Sequence, residues 1–246
     1  MTAEADGKVI ALFGAGPGLG AAVAHRFGRE GYRVALVARR GETLRVLAEE
    51  LAGEGVEAVP FPADLSRSEA IPDLVADITA RLGPIGAVYY APTTGESPFL
   101  PATEVTPQIL AGYVDLYLYS PIAVVNAVLP GMLGRGDGAI LVGHGGSAAH
   151  PAPFRSGIGP IMSATRNYLY SLHGELAGKG VYVGTVTISA VILGSTGAAA
   201  VDTELIAQLG LPTAEPSDLA DLLWNMADAR DRVEVAWPAP PPESQS

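Results

Sequence analysis

Gly14-Ala15-Gly16-Pro17-Gly18-Leu19-Gly20 stands directly behind the apolar run Val9-Ile10-Ala11-Leu12-Phe13, and the reading of this stretch decides the fold. Five consecutive apolar residues make a buried strand, and after Gly20 the residues Ala22, Val23 and Phe27 fall on one face of a helix. The glycines therefore sit at a strand-to-helix turn. There, glycine permits positive φ and lets a diphosphate approach the unpaired N–H groups and positive dipole end of the helix. Two readings are open: a dinucleotide site, or an ordinary βα turn built of small residues. The strand before and the helix after supply the context the first reading requires.

The rest of the chain extends this pattern. Arg33–Ala38 reads as a second strand and Glu57–Phe61 as a third, with a leucine-spaced helix (Leu44, Leu47, Leu51) between them. A helix over Ser68–Leu82 is broken by Gly83-Pro84, and Ile85–Tyr90 is a fourth strand. A long helical stretch, Gln108–Leu133, leads to a fifth strand at Ala139–Val142, followed by a small-residue loop over Gly143–Gly159. A helix over Ile161–Ala177, a strand over Val181–Ile188, a loop over Ser195–Thr203 suited equally to a lid or to a plain flexible connection, helices near Glu204–Leu209 and Ser217–Ala229, and a strand Val233–Trp237 complete the alternation. The expected fold is α/β: a single Rossmann-type doubly wound, mostly parallel sheet with helices on both faces, its ligands beyond the carboxyl ends of the strands.

The composition fits one such domain. The chain has 246 residues, 48% hydrophobic and 17% charged, with the domain expected over 8–237, a disordered start over 1–7 and a Pro-rich flexible tail over 238–246. No apolar run reaches the roughly 18 residues of a membrane span, and the acidic start is unlike a signal peptide, so a cytoplasmic protein without a membrane partner is expected. The absence of cysteine excludes disulfides, thiolate nucleophiles and thiolate metal sites. A net charge of −11 argues against a nucleic-acid surface.

With these elements placed, the chain resembles the short-chain dehydrogenase/reductase family over nearly its whole length. Phe13-Gly14-Ala15-Gly16-Pro17-Gly18-Leu19-Gly20 matches the family's Thr-Gly-x-x-x-Gly-x-Gly in all three glycines but not in the threonine. Asp64-Leu65 matches the family's adenine-contacting Asp and its apolar neighbour, with helix capping as the plainer alternative. Strand two ends Val37-Ala38-Arg39-Arg40, where an NAD enzyme places an acidic residue. Ala38 with Arg39 resembles the family's NADP pattern, since a guanidinium matches a 2′-phosphate in charge and in forked donors; a solvated surface charge is the plainer alternative. The resemblance thus implies cofactor contacts at Gly14, Gly16, Gly18, Leu19, Gly20, Arg39, Arg40, Asp64, Leu65 and Ala91, with NADP(H) favoured over NAD(H). It also implies a homodimer or homotetramer. Leu116-Tyr117-Leu118-Tyr119 and Tyr168-Leu169-Tyr170 lie on the helices through which family members pair, and the lining of an apolar pocket is the alternative reading of these aromatics.

The catalytic half departs from the family. Members use a Tyr, a Lys four residues on, a Ser about thirteen residues earlier and an Asn on the preceding helix. The only lysines here are Lys8 and Lys179, preceded at four residues by Glu4 and Glu175, so no Tyr-x-x-x-Lys occurs. Aligning Leu172–Leu176 and Gly180–Val183 with the family's helix end and sixth strand puts Ile158 at the Tyr position, Met162 at the Lys, Gly145 at the Ser and Tyr117 at the Asn. A shift of one helical turn would give Met162 and Arg166. Neither Ile nor Met transfers a proton. Candidate replacements are His144, Tyr117 and Ser147, with His150 behind them, and no third ligand joins the histidines into a metal site. Three functions follow: an NADP(H)-dependent oxidoreductase with an unusual proton donor; a non-redox isomerase, dehydratase or cyclase on the same scaffold; or a catalytically inactive dinucleotide-binding or partner subunit. A small-molecule substrate or product is the expected ligand, its identity open.

Overall fold

The computed structural model describes residues 8–94, 100–199 and 211–239. The expected disordered start at 1–7, the end of the lid at 200–203, the helix near Glu204–Leu209 and the tail beyond 239 lie outside the described residues.

Strands β1 (Val9–Phe13), β2 (Arg33–Ala38), β3 (Ala58–Pro62), β4 (Ile85–Tyr90), β5 (Gly138–Gly145), β6 (Val181–Ile188) and β9 (Glu234–Trp237) form one sheet in the order β3-β2-β1-β4-β5-β6-β9. Every pairing is parallel. Between them run α1 (Leu19–Arg29), α2 (Gly41–Gly53), α3 (Ile71–Leu82), α4 (Pro107–Val114), α5 (Ser120–Arg135), α6 (Gly159–Glu175), α7 (Thr196–Ala199) and α8 (Pro216–Ala229). Strand β1 shows why its run had to be apolar throughout. Side chains alternate between faces, so Val9, Ala11 and Phe13 join one core with α3, α5 and α6, while Ile10 and Leu12 join another with α1, α2 and α8. The strand order reverses between β1 and β4, which opens a crevice at their carboxyl ends, at Gly14 and Ala91.

Four expectations need correction. Strand β5 runs on to Gly145, so His144 lies inside the sheet rather than in the loop that was expected to begin at Gly143. Its pairing with β6 continues through Gly143↔Val186, His144↔Thr187 and Gly145↔Ile188, which the glycine-rich composition concealed. The expected loop over Ser195–Thr203 begins as helix α7, and a two-stranded ladder joins β7 (Val191–Ile192), just before it, to β8 (Thr213–Ala214), later in the chain.

The long helix is the fourth. Its middle, Asp115–Tyr119, is a π-helical turn, set by Ser120 and Pro121. The Ser120 amide reaches back five residues to the Asp115 carbonyl, and Pro121 has no N–H to give. The carbonyls of Leu116 and Tyr117 are left to other donors: the Tyr90 hydroxyl takes the first and the Thr165 hydroxyl the second. By length and composition the continuous helical stretch Pro107–Arg135 is apolar enough to cross a membrane. Here it is a core helix, with Val124, Val125, Val128 and Met132 packed on the sheet.

Candidate functional site

The turn after β1 is fixed by contacts that only glycine tolerates. Gly14 has φ +112°, and a Cβ there would stand 2.8 Å from the Ala91 carbonyl carbon. A Cβ on Gly20 would fall 2.3 Å from the Gly14 carbonyl oxygen, so the helix start packs directly on the turn. The amides of Gly14 and Ala15 both donate to the Val37 carbonyl, at 2.9 and 3.0 Å, which ties the turn to β2. Gly16 faces open space. Gly18 (φ +86°) begins α1 without a side chain to cap it, which leaves the first-turn amides of Leu19 and Gly20 to an incoming anion. Beyond Gly18 stands Ser195, its Cβ 2.9 Å from where a Gly18 side chain would begin. Ser195 itself caps α7 by accepting from the Ala198 amide. The segment read as a lid therefore starts beside the glycine turn, at Ser195.

The groups read as gripping a dinucleotide's adenosine end line the same crevice. Arg39 is exposed and donates to the Thr94 carbonyl at 3.4 Å. Arg40 is the exposed residue ahead of α2. Asp64 is exposed, and its carboxyl is held below the usual range, chiefly by the amide and hydroxyl of Ser66, with Arg39 adding to the effect. Leu65 is buried beneath it, and its carbonyl takes the Ser120 hydroxyl. Ala91 sits between Gly14 and Gly143, where a Gly143 Cβ would lie 3.1 Å from the Ala91 Cβ.

Farther along the crevice, Ala91, Tyr117 and His144 meet around one cavity of about 10 Å³, walled also by Tyr90, Gly143 and Thr165. Tyr117 is buried, and its phenol oxygen accepts from the Thr94 amide at 3.3 Å. This burial removes Tyr117 from the helix-pairing face assigned to it, whereas Tyr119 and Tyr170 are exposed. His144 is 5% exposed and its Nε2 has no hydrogen-bond partner. Burial pushes its pKa down to about 4, so at neutral pH the ring is uncharged. Ser147 is not part of this group: it lies in a short 3₁₀ turn against the start of α6, its Oγ 3.3 Å from where a Gly159 side chain would begin. His150 is exposed.

The positions read as Ser and Lys do meet in space, without their chemistry. A Cβ on Gly145 would stand 3.7 Å from the Met162 sulfur, and Met162 is buried. Arg166, the cation of the shifted register, is engaged elsewhere. Its guanidinium forks onto Glu234 of β9, with Nε at 3.0 and 3.1 Å from the two carboxylate oxygens, and the same carboxylate accepts from Tyr170 and from Thr187. Burial works against the Glu234 charge, but these donors hold its pKa down at about 2. This network joins α6 to residues far along the chain and has no local sequence signal. A separate groove of about 430 Å³ between α1 and α8 carries polar side chains that pair among themselves, His25 with Glu54 and Arg26 with Asp221.

The short chain dehydrogenase family model matches residues 8–204. A fatty acyl-CoA reductase of Mycobacterium tuberculosis is 31% identical over 95% of this chain and 77% of its own length. An inactive hydroxysteroid dehydrogenase-like protein of Mus musculus is 28% identical over 72% of this chain. The chain spans little more than half the length of that and of other curated relatives it matches: 54% in that case and 58% in another. Among solved structures, an actinorhodin polyketide ketoreductase with NADPH is similar, with a TM-score of 0.84, 25% identity and 96% and 97% of the two chains covered. Fold, glycine turn and sequence match agree, and the chain belongs to the short chain dehydrogenase family.

Proposed function

We propose that this protein binds a nicotinamide dinucleotide, NADP(H) in preference to NAD(H), and works without the Tyr-x-x-x-Lys chemistry of its family. The single observation that carries the reading is the contrast along one crevice. At the adenosine end, the residues present fit the dinucleotide: Gly14 and Gly20 occupy places that a Cβ would fill, Gly16 leaves room, and Arg39 beside Asp64 offers a cation for a 2′-phosphate. At the other end, Gly145 and Met162 face each other where the family's Ser and Lys are expected, and Ile158 stands at the Tyr position. When bound, the dinucleotide would supply or accept a hydride. The protein's own part is to hold it and to move any proton. Among the three candidates, Tyr117 is the one whose acidic hydrogen stays at the crevice, because its oxygen accepts from the Thr94 amide and its O–H remains free to donate. His144 is enclosed and Ser147 lies apart.

A second reading, an inactive dinucleotide-binding or partner subunit, is favoured by the apolar Gly145–Met162 contact and by the name of the Mus musculus relative. Calorimetric titration with NADPH and NADH tests the shared binding claim, with tighter NADPH binding expected. Absorbance of the nicotinamide with a panel of carbonyl and enone substrates separates the two readings. Turnover abolished in Tyr117→Phe supports the first, and no turnover with any substrate supports the second. Binding of neither dinucleotide would refute both and favour a non-redox isomerase, dehydratase or cyclase. Self-association through the helices that expose Tyr119 and Tyr170 is proposed with it, and light scattering of the purified chain tests it.

A further inference from the structure

We propose that Thr165 of α6 is a positioning residue for Tyr117: its hydroxyl holds the Tyr117 carbonyl, which has no helical donor, and so fixes where that phenol stands in the crevice. The π turn is tethered on three sides by buried hydroxyls. Tyr90 of β4 donates to the Leu116 carbonyl, Thr165 to the Tyr117 carbonyl, and Ser120, at the end of the turn, to the Leu65 carbonyl at 2.6 Å. The second of these acts on Tyr117 itself. A straight α-helix would not remove the need for it, because the donor due to the Tyr117 carbonyl would then be the amide of Pro121, which carries no hydrogen.

The Thr165 hydroxyl has a single hydrogen, and two carbonyls lie within its reach: that of Ile161, one turn back in α6, at 3.5 Å, and the nearer one of Tyr117. A helical threonine commonly turns to the first. Here the side chain reaches across to the neighbouring helix instead. Thr165 and Tyr117 are both buried, so without the hydroxyl the carbonyl would lose its partner where little water can replace it. Tyr117 is thereby held at two points, its carbonyl by α6 and its phenol oxygen by the Thr94 amide at 3.3 Å. Between those points its ring lines the crevice cavity together with His144 and Thr165. The neighbouring α6 side chains offer no substitute: Met162 has no hydrogen to donate, and Arg166 is forked onto Glu234. Placement of this kind is worth much to a proton-moving group, since a misplacement of about 1 Å costs roughly a hundredfold in rate.

The consequence for turnover rests on the reading of Tyr117 given above, whereas the hold on its ring does not, and the test separates them. The full chain without dinucleotide is labelled with ¹³Cζ-tyrosine and ¹⁵N, the Tyr117 ring signal is identified by its loss in Tyr117→Phe, and NMR spectra are recorded for the wild type, Thr165→Val and Thr165→Ser. Thr165→Val keeps the shape and removes the hydroxyl. It should displace the Tyr117 Cζ signal and shift the Thr94 amide proton upfield, while the Gly14 and Ala15 amides, bonded to Val37, stay in place. Thr165→Ser restores the hydroxyl and should return both signals toward the wild type. Wild-type Tyr117 and Thr94 signals in a folded Thr165→Val, or the same disturbance in Thr165→Ser, would overturn the proposal. Should Thr165→Val fail to fold, a crystal structure of the wild type decides the point: the hydroxyl on the Tyr117 carbonyl is expected, and a hydroxyl turned to Ile161 would overturn it. With a substrate that turns over, Thr165→Val should lower kcat by roughly a hundredfold and leave NADPH binding unchanged. Absence of wild-type turnover with every substrate would leave the NMR readouts intact and count against the proposed function alone.

Discussion

Replacing Arg39 with alanine isolates the cofactor preference. The Arg39 side chain is exposed, reaches no carboxylate within ion-pair distance among the described residues, and makes one long contact of 3.4 Å to the Thr94 carbonyl, so its loss leaves no buried charge behind and little stability changes. Its value lies in the ligand. A charge-assisted hydrogen bond to a 2′-phosphate contributes about 1.5–3 kcal/mol, and at 1.4 kcal/mol per tenfold this is roughly a 10- to 100-fold rise in the NADPH dissociation constant. Asp64 sharpens the expectation: its carboxylate is close enough for Arg39 to lower its pKa, and with Arg39 gone Arg67 is the one other cation that offsets it. NADH, which has a hydroxyl in place of the phosphate, should bind Arg39→Ala as it binds the wild type. Calorimetry of both dinucleotides on both proteins reads the four constants, and the difference should shrink as salt screens the exposed charge. An equal loss for NADPH and NADH, or no loss for NADPH, would refute the assignment of Arg39.

Four other outcomes are expected. His144 has an ordinary pKa of 6.5 in the unfolded chain and about 4 in the folded one, so folding stability is full above pH 6.5 and falls, by up to about 3 kcal/mol, as pH drops to 4; denaturant titrations of His144→Gln should lose that slope. Glu234 is depressed from 4.5 to about 2, so its contribution is complete above pH 4.5 and disappears below it; Glu234→Gln should cost about 2 kcal/mol at pH 7 and nothing near pH 2. Gly18→Ala forces a side chain to φ +86° and against Ser195, and urea melts should show a loss of about 1–3 kcal/mol. The combined Gly145→Ser, Ile158→Tyr and Met162→Lys variant should gain NADPH-dependent carbonyl reduction measurable by absorbance, and a protein that folds and binds NADPH yet gains no reduction would show that more than these three positions has been lost.

Much of this was legible in the sequence because it depends on local rules. A five-residue apolar run followed by four glycines specifies β1, the turn and α1, and the structure adds which neighbours Gly14, Gly18 and Gly20 must avoid. The sheet followed from alternation for the same reason. His144 was harder, because a Gly-His-Gly-Gly stretch reads as loop by composition, and only the pairing with Thr187 across the sheet keeps it extended. The π turn carried a faint signal in Pro121, whose missing N–H frees a carbonyl, but the groups that take up the freed carbonyls, Tyr90 and Thr165, are distant in sequence. Glu234 was invisible as a partner of Arg166 because 68 residues separate them.

The crevice is thus governed by two kinds of constraint that break independently. At Gly14, Ala91 and Gly143 the requirement is steric: three neighbouring strand ends approach so closely that only small residues fit, and any Cβ on Gly14 meets the backbone of Ala91. Backbone cannot give way as a flexible side chain can, so this floor persists as long as the fold does. At Gly145, Ile158 and Met162, the positions the proposed reading aligns with the family's Ser, Tyr and Lys, the requirement would be chemical, and the fold is indifferent to it. Met162 packs against Gly145 at ordinary contact distance and buries well, so under the proposed alignment a methionine at the lysine position costs the structure nothing and spares it a buried charge. Arg166 shows the same freedom, since one turn farther along α6 a cation is retained and put to work holding β9 through Glu234. A chain under this pair of constraints keeps a dinucleotide-shaped crevice whatever becomes of its catalysis, which is why binding and turnover must be measured separately in this protein.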